Sequence, residues 1–178
     1  MKRAVFLDRD GVVNVAYTRI GKPYPPRDLN QLIILAGVKE SVRNLTQFGF
    51  VVVVITNQPD ISNGTSSYDK VNLIHKEIAS LTGIEYFYVC PHMDTHDCKC
   101  RKPKPGLLLQ AARELNLDLS KSYMIGDRWR DIGAGQSAGC KNFFIDYGYI
   151  EKRPDEPFIP VLSLSHATEL ILGETYES

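Results

Sequence analysis

The sequence predicts an α/β domain built on a mainly parallel sheet with helices on both faces. Two observations carry that reading. Short apolar runs alternate along the chain with amphipathic stretches of helical period, the pattern of strands joined by crossover helices. The run Val51 to Thr56 is β-branched throughout, as in a strand buried on both faces.

The elements follow in order. Ala4 to Leu7 is a fully apolar strand candidate. Gly21 to Arg27 holds three prolines and is expected to be a surface loop. Val38, Val42, Leu45 and Phe48 share one helical face, and Val51 to Thr56 forms the next strand. Val71, Ile74, Ile78 and Leu81 define a second helix, and Glu85 to Val89 a third strand. Leu108, Ala111, Ala112 and Leu115 define another helix, with Pro105 where a first turn tolerates proline. Strands are expected at Tyr123 to Ile125 and Asn142 to Ile145. Residues 151–160 are polar and proline-rich, and an apolar pattern from Leu162 to Leu172 predicts a last strand and helix on the same core.

The chain has 178 residues, a length that predicts a single domain over 1–178. Its 21 Lys and Arg balance 21 Asp and Glu, so no basic excess marks a nucleic-acid partner. No apolar run is long enough to span a membrane. The apolar stretch near the N-terminus is too short for a signal peptide. The expectation is a cytoplasmic monomer acting on a small molecule. Three of the four cysteines, Cys90, Cys98 and Cys100, lie close together with His92 among them. In a cytoplasmic chain such a cluster points to metal rather than disulfides.

Ligands of open α/β sheets sit outside the carboxyl ends of the strands. Asp8-Arg9-Asp10-Gly11 follows the first strand, Thr56-Asn57-Gln58 the second, and Gly126-Asp127-Arg128 a later one. Arg101-Lys102-Pro103-Lys104 follows the cysteine cluster. Asp8 and Asp10, two apart in extended chain, point to one side. With Asp127 nearby they would repel unless a cation lay among them. Mg²⁺ fits, being a hard ion that binds carboxylates, water and substrate phosphate and lets an anionic nucleophile approach a phosphoryl group.

D-x-D-G-V, then hydrophobic-T-N, a basic residue, and G-D-x-x-x-D resemble the four motifs of the haloacid-dehalogenase-like phosphatases over residues 4 to about 145. C-P-H-x5-C-x-C-R-K-P-K-P-G resembles the capless, zinc-containing branch, whose members act on a heptose bisphosphate or on histidinol phosphate. The resemblance implies a Rossmann-like fold without a large cap domain, and a zinc-stapled loop at 90–100. It implies Asp8 as nucleophile, Asp10 as general acid and base, and Thr56 and Lys102 on the phosphoryl oxygens. Mg²⁺ would be held by Asp8, the Asp10 carbonyl and Asp127. Asn57, Arg101 and Arg128 would contact the substrate. A structural Zn²⁺ would take Cys90, His92, Cys98 and Cys100, a closed tetrahedral set. Lys102 is preferred to Lys104, and His92 to His96, because they match the motif. Asp131 is either a helix N-terminal residue or a support for the metal. Cys140 is expected to be an ordinary buried cysteine.

Lys99, Arg101, Lys102, Lys104, Arg128 and Arg130 form a basic cluster suited to a second phosphate. A second phosphate points to a bisphosphate, and the resemblance, with P-K-P-G after the zinc motif, implies the 7-phosphate of a heptose 1,7-bisphosphate, of the kind that feeds lipopolysaccharide or capsule synthesis, with histidinol phosphate as alternative. Two segments depart from the heptose pattern. Gln58 to Gly64 reads Q-P-D-I-S-N-G where Q-S-G-I-A-R-G is expected, which brings Asp60 near the rim. G-D-R-W-R-D carries Arg128 where a lysine is expected, followed by Trp129, which either stacks on substrate or covers the core. A rival dinucleotide-binding reading rests on Gly133 to Ala138 (G-x-G-x-x-A). That fingerprint should follow its strand directly. Here Asp127 to Asp131 intervene, which places the glycines inside a helix packed on the sheet.

Overall fold

A computed structural model of the chain describes residues 1–176. Strand β1 (Arg3–Leu7) leads into a tight turn wound on the Arg9 carbonyl, which accepts from the Val13 and Asn14 amides at 2.9 and 3.1 Å. An antiparallel hairpin follows, β2 (Tyr17–Arg19) and β3 (Lys22–Tyr24). Next come α1 (Val38–Gln47), β4 (Phe50–Asn57), α2 (Tyr68–Thr82) and β5 (Tyr86–Cys90). The cysteine-bearing loop leads to α3 (Gly106–Leu115), β6 (Tyr123–Gly126), α4 (Trp129–Ala138) and β7 (Lys141–Ile145). A long connection reaches β8 (Ile159–Val161) and α5 (Leu164–Tyr176).

Six strands form one sheet in the order β5-β4-β1-β6-β7-β8, with every neighbouring pair parallel. The chain winds outward from β1 through β4 to β5, then crosses to β6 on the other side of β1. A crevice opens where the winding reverses, at the carboxyl ends of β1, β4 and β6. The pleat sorts the core into two layers. Val5 and Leu7 of β1 and Val52 and Val54 of β4 face α1, α2 and α5. Ala4, Phe6, Val53 and Ile55 face α3 and α4. Helix α2 starts where the Ser67 side chain accepts from the Lys70 amide, and stops at Gly83 in the left-handed conformation.

The structure departs from the sequence reading at three places. The proline-rich stretch at 21–27 is not all loop: it carries β3, turned back on β2 through Ile20 and Gly21, both at positive φ. Pro23 is tolerated because each strand of a two-stranded hairpin has a free edge. The last strand, expected within Leu162 to Leu172, lies earlier as β8 at 159–161, overlapping the proline-rich stretch, and Pro160 is accommodated because β8 is the sheet's edge. Leu81 is 43% exposed. The buried position passes to Thr82, whose hydroxyl donates to the Ile78 carbonyl at 2.7 Å.

Gly133 to Ala138 lie within α4, which removes the dinucleotide reading. Gly135 lets that helix press on the sheet: a Cβ there would stand 1.9 Å from Asn142 Oδ1 and 2.6 Å from Met124 Cβ. Gly135→Ala is expected to lower stability by ~1–3 kcal/mol through overpacking, read as a reduced urea midpoint at unchanged m-value.

Candidate active site

The reversal of winding brings four segments to one point. The Lys102 ammonium sits at the centre, 2% exposed. It donates to Asp8 Oδ1 at 2.8 Å, to the Ile55 carbonyl at 2.7 Å, and pairs with Asp131 Oδ1 at 2.6 Å. These use all three ammonium donors. Lys102 reaches this point because its backbone is clamped by Asn57 at the end of β4: Asn57 Nδ2 donates to the Lys102 carbonyl at 3.2 Å, and the Lys102 amide donates to Asn57 Oδ1 at 3.1 Å. Asn57, expected to contact substrate, is thus occupied in holding Lys102. Lys104 lies apart, bonded to Asp97 and to the Cys98 carbonyl.

Asp8, Asp127 and Asp131 are all buried, and one oxygen from each lies within 4.8 Å of the others. Burial and the nearby Asp131 push the Asp8 carboxyl up to about 6, against the pull of Lys102. Burial, Asp8 and Asp131 hold Asp127 well above the usual carboxylate range. Burial would lower the Lys102 ammonium, but Asp131 and Asp8 more than offset it and leave it raised. Asp131 has both expected roles in one side chain. It pairs with Lys102, and its Oδ2 accepts from the Arg128 amide at 2.9 Å at the start of α4.

This set fits a divalent cation. Asp127 Oδ2 accepts from the Tyr149 hydroxyl at 2.8 Å, while Asp127 Oδ1 is buried with no hydrogen-bond partner. Such an orphan acceptor among unneutralised carboxylates is the kind of donor a hard cation takes. Gly11, at φ +95°, makes room for it: a Cβ there would stand 2.0 Å from Asp127 Oδ2.

Asp10 lies beside this group in a different net. Arg9 Nε and Nη2 donate to its two oxygens at 3.1 and 3.0 Å, Asn14 Nδ2 to Oδ1 at 2.9 Å, and Gln58 Nε2 to Oδ2 at 2.8 Å. Arg9 is fully buried, with Nη1 3.2 Å from His75 Nε2. Burial and Arg9 push His75 down to about 3, so its ring is neutral and accepts that bond while stacking on Phe87 at 4.6 Å. Thr56, buried at the end of β4, accepts from Gln58 Nε2 at 2.9 Å.

Cys90 Sγ, His92 Nδ1, Cys98 Sγ and Cys100 Sγ all lie within 4.8 Å of one another, with Cys90 3.0 to 3.8 Å from the other three and His92 3.2 Å from Cys100. A tetrahedron with Zn–S and Zn–N bonds of about 2.3 and 2.1 Å has edges of about 3.5–3.8 Å, so the four atoms could hold such an ion. His96 is used otherwise: its Nδ1 accepts from the Met93 amide. Cys140 is buried in the α3–α4 layer, and burial pushes its thiol up to about 12.

Most cations of the basic cluster are paired with acids in this structure. Arg101 donates to Asp94 and to the His92 carbonyl, each at 2.9 Å. Arg130 forms two bonds to the same Asp94. Arg128 pairs with Glu151. Trp129 is flanked by the Arg130 and Lys152 cations, at 4.7 and 5.4 Å from its ring. The acids that neutralise this face, Asp94, Asp97 and Glu151, were not weighed against the cations in the sequence. Arg9 and Gln58 sit in the strand-end segments without a role readable from the sequence, and Asn14, Tyr147 and Tyr149 carry no sequence signal of their own. Only the strand-end rule points to the tyrosines, because they follow β7: Tyr147 donates to the Gly11 carbonyl at 3.0 Å, beside the Tyr149 bond.

Strand order and strand-end carboxylates together define a phosphoryl-transfer site of the haloacid-dehalogenase-like class. Comparison with known proteins agrees. A family model of HAD-hydrolase-like proteins matches residues 99–163. The D-glycero-beta-D-manno-heptose-1,7-bisphosphate 7-phosphatase of Pasteurella multocida is 37% identical over 153 residues, 80% of each chain. That of Helicobacter pylori strain 26695 is 36% identical over 149 residues, 79% of this chain and 81% of its own. The crystal structure of D,D-heptose 1,7-bisphosphate phosphatase from B. bronchiseptica, complexed with magnesium and phosphate, superposes with a TM-score of 0.83 at 29% identity, covering 97% of this chain and 99% of the other. The chain belongs to the haloacid-dehalogenase-like phosphatases, in the family of the heptose bisphosphate phosphatases.

A pH test follows from the buried carboxylates. Asp8 has a folded-state pKa of about 6 against an ordinary 3.8, so the folded chain binds protons more tightly than the unfolded one. Its contribution to stability is therefore present at low pH and lost as pH rises through about 6. A divalent cation reverses that loss. The rise in Tm on adding MgCl₂ should be small near pH ~4.5 and grow toward pH ~7. Tyr149→Phe frees Asp127 Oδ2 and is expected to raise the Mg²⁺ concentration for half-maximal thermal stabilisation ~10-fold or more.

Proposed function

We propose that the chain removes the 7-phosphate of D-glycero-D-manno-heptose 1,7-bisphosphate through an aspartyl-phosphate on Asp8. The observation that carries the reading is the bond from the Lys102 ammonium to Asp8 Oδ1 within a buried carboxylate group. It holds one carboxylate at the rim in a fixed orientation beside a cation-binding set.

Asp8 attacks phosphorus through its second oxygen, and the bond from phosphorus to the sugar oxygen breaks. Thr56 donates to a phosphoryl oxygen as its charge redistributes, and the Lys102 ammonium does the same by exchanging one of its three protein bonds for it. Asp10 gives its proton to the departing sugar oxygen, then takes one from the water that attacks the aspartyl-phosphate. Inorganic phosphate leaves, and Asp8 is restored. The Arg9 guanidinium and the Gln58 and Asn14 amides hold Asp10 toward the leaving group. Mg²⁺, taken by Asp8, Asp127 and the Asp10 carbonyl with Asp131 in support, supplies the positive charge that lets a carboxylate approach a phosphate dianion.

Zn²⁺ on Cys90, His92, Cys98 and Cys100 is structural, because four protein ligands leave no open position. It fixes the loop whose next residues are Arg101 and Lys102. Burial pushes the Cys90 and Cys100 thiols up, so their ionisation is coupled to binding the ion.

Phosphate release from heptose 1,7-bisphosphate and from histidinol phosphate, with Mg²⁺ and with EDTA, tests the substrate. Mg²⁺-dependent release from the heptose is expected; release from histidinol phosphate alone would contradict the reading. Asp8→Asn should abolish turnover of every phosphomonoester while the fold and zinc content persist. Asp10→Asn should cost about 10²–10⁴-fold on sugar phosphates and far less on an aryl phosphate, whose leaving group needs no proton. Cys98→Ser should release zinc and lower turnover at least ~10-fold by freeing the Lys102 loop.

A further inference from the structure

Helix α2 buries an apolar face through Val71, Ile74 and Ile78, and beside them one polar ring, His75. The ring makes two different contacts. One face stacks on Phe87 of β5, with ring centres 4.6 Å apart. Its Nε2 lies 3.2 Å from Arg9 Nη1. A guanidinium can only donate, so Nε2 is the acceptor, the ring is neutral and its proton is on Nδ1. An apolar side chain could fill this position of the helix and keep the stacking, but it could not take that bond.

The bond matters because of what Arg9 holds. Arg9 is fully buried, and its Nε and Nη2 donate to the two oxygens of Asp10 at 3.1 and 3.0 Å. A guanidinium bonded to that carboxylate alone would swing with it, because Arg9 and Asp10 are neighbours in one turn. The other two donors to Asp10 also come from the rim. Asn14 lies in the turn after β1, and Gln58 directly follows β4.

His75 comes from elsewhere. It stands in the middle of a 15-residue helix packed on the sheet, 66 residues from Arg9 in the chain. Through the guanidinium it ties the carboxylate to an element outside the rim. Groups anchored on regular elements keep their geometry more closely than groups held by loops. The mechanism proposed above asks for such an anchor, because Asp10 must meet first the departing alcohol and then the attacking water. A misplacement of about 1 Å can cost on the order of 10²-fold in rate. The bond from His75 leads to Asp10 and not to Lys102 or Asp127, so its loss falls on proton transfer rather than on attack at phosphorus.

We propose that His75 is a positioning residue for proton transfer, fixing Arg9 and through it the Asp10 carboxylate toward the leaving oxygen. The proposal rests on the phosphatase reading and extends it to a residue outside the rim.

The test uses two variants of similar size, His75→Gln and His75→Met. Both lose the ring, and only Gln keeps a strong acceptor. Turnover is measured on p-nitrophenyl phosphate and on the sugar phosphate that the wild-type chain hydrolyses fastest, expected to be heptose 1,7-bisphosphate. His75→Met is expected to lower kcat on the sugar phosphate ~10–100-fold, with KM within about threefold, and turnover of the aryl phosphate less than about threefold. His75→Gln should recover most of the lost kcat. Beside Asp10→Asn the cost of His75→Met should disappear, because both changes act at one group. Should His75→Met not fold, His75→Phe repeats the comparison with the stacking kept and the acceptor gone. Equal kcat in the variants with and without an acceptor overturns the inference, as does a loss of equal size on both substrates or a cost that persists beside Asp10→Asn. No turnover of any phosphomonoester by the wild-type chain sinks the phosphatase reading itself, and the inference with it.

Discussion

One buried ammonium holds the site together. The Lys102 Nζ binds Asp8, Asp131 and the Ile55 carbonyl at once, joining the ends of β1 and β4 and the first turn of α4 at a single atom. A charge removed from water is costly unless it is paired and fully hydrogen-bonded, and this one is. The same arrangement leaves the site short of positive charge: three buried carboxylates face one ammonium. The remaining repulsion raises Asp8 and Asp127, and a second cation relieves it. Lys102 thus both orders the group and leaves it in need of a metal.

The fold delivers these groups by topology. In a parallel sheet all strands end on the same side, and the reversal of winding beside β1 opens a gap there. The strand ends then aim Asp8, Thr56 and Asp127 into the gap. Lys102 comes from farther away, and two devices bring it in: the Asn57 clamp on its backbone and the cysteine-rich loop just before it. The segment after β7 braces the far side, where Tyr147 and Tyr149 bond the loops carrying Gly11 and Asp127.

The buried strands were legible in the sequence because a strand covered on both faces must be apolar throughout. The strand-end carboxylates were legible because the carboxyl rim is where such sheets bind ligands. What escaped notice depends on partners distant in sequence. Arg128 and Arg101 look like free phosphate ligands until Glu151 and Asp94 are seen beside them. Asn57 belongs to the T-N motif, but its partner is the backbone of Lys102, 45 residues away. Strand β3 lies in a stretch whose prolines argue for a loop, an argument that fails where the strand has a free edge. Asp131, by contrast, could not be assigned between capping and site support because it does both.

The central claim is that the carboxylate oriented by Lys102 bonds to phosphorus during turnover. The most direct measurement is to quench the Mg²⁺-loaded enzyme with borohydride during turnover and map the reduced residue by peptide mass spectrometry. An acyl phosphate on Asp8 would be reduced to homoserine at position 8, in the wild-type chain and only with substrate present. Reduction at Asp10 or Asp127 instead, or none during rapid phosphate release, would contradict the account.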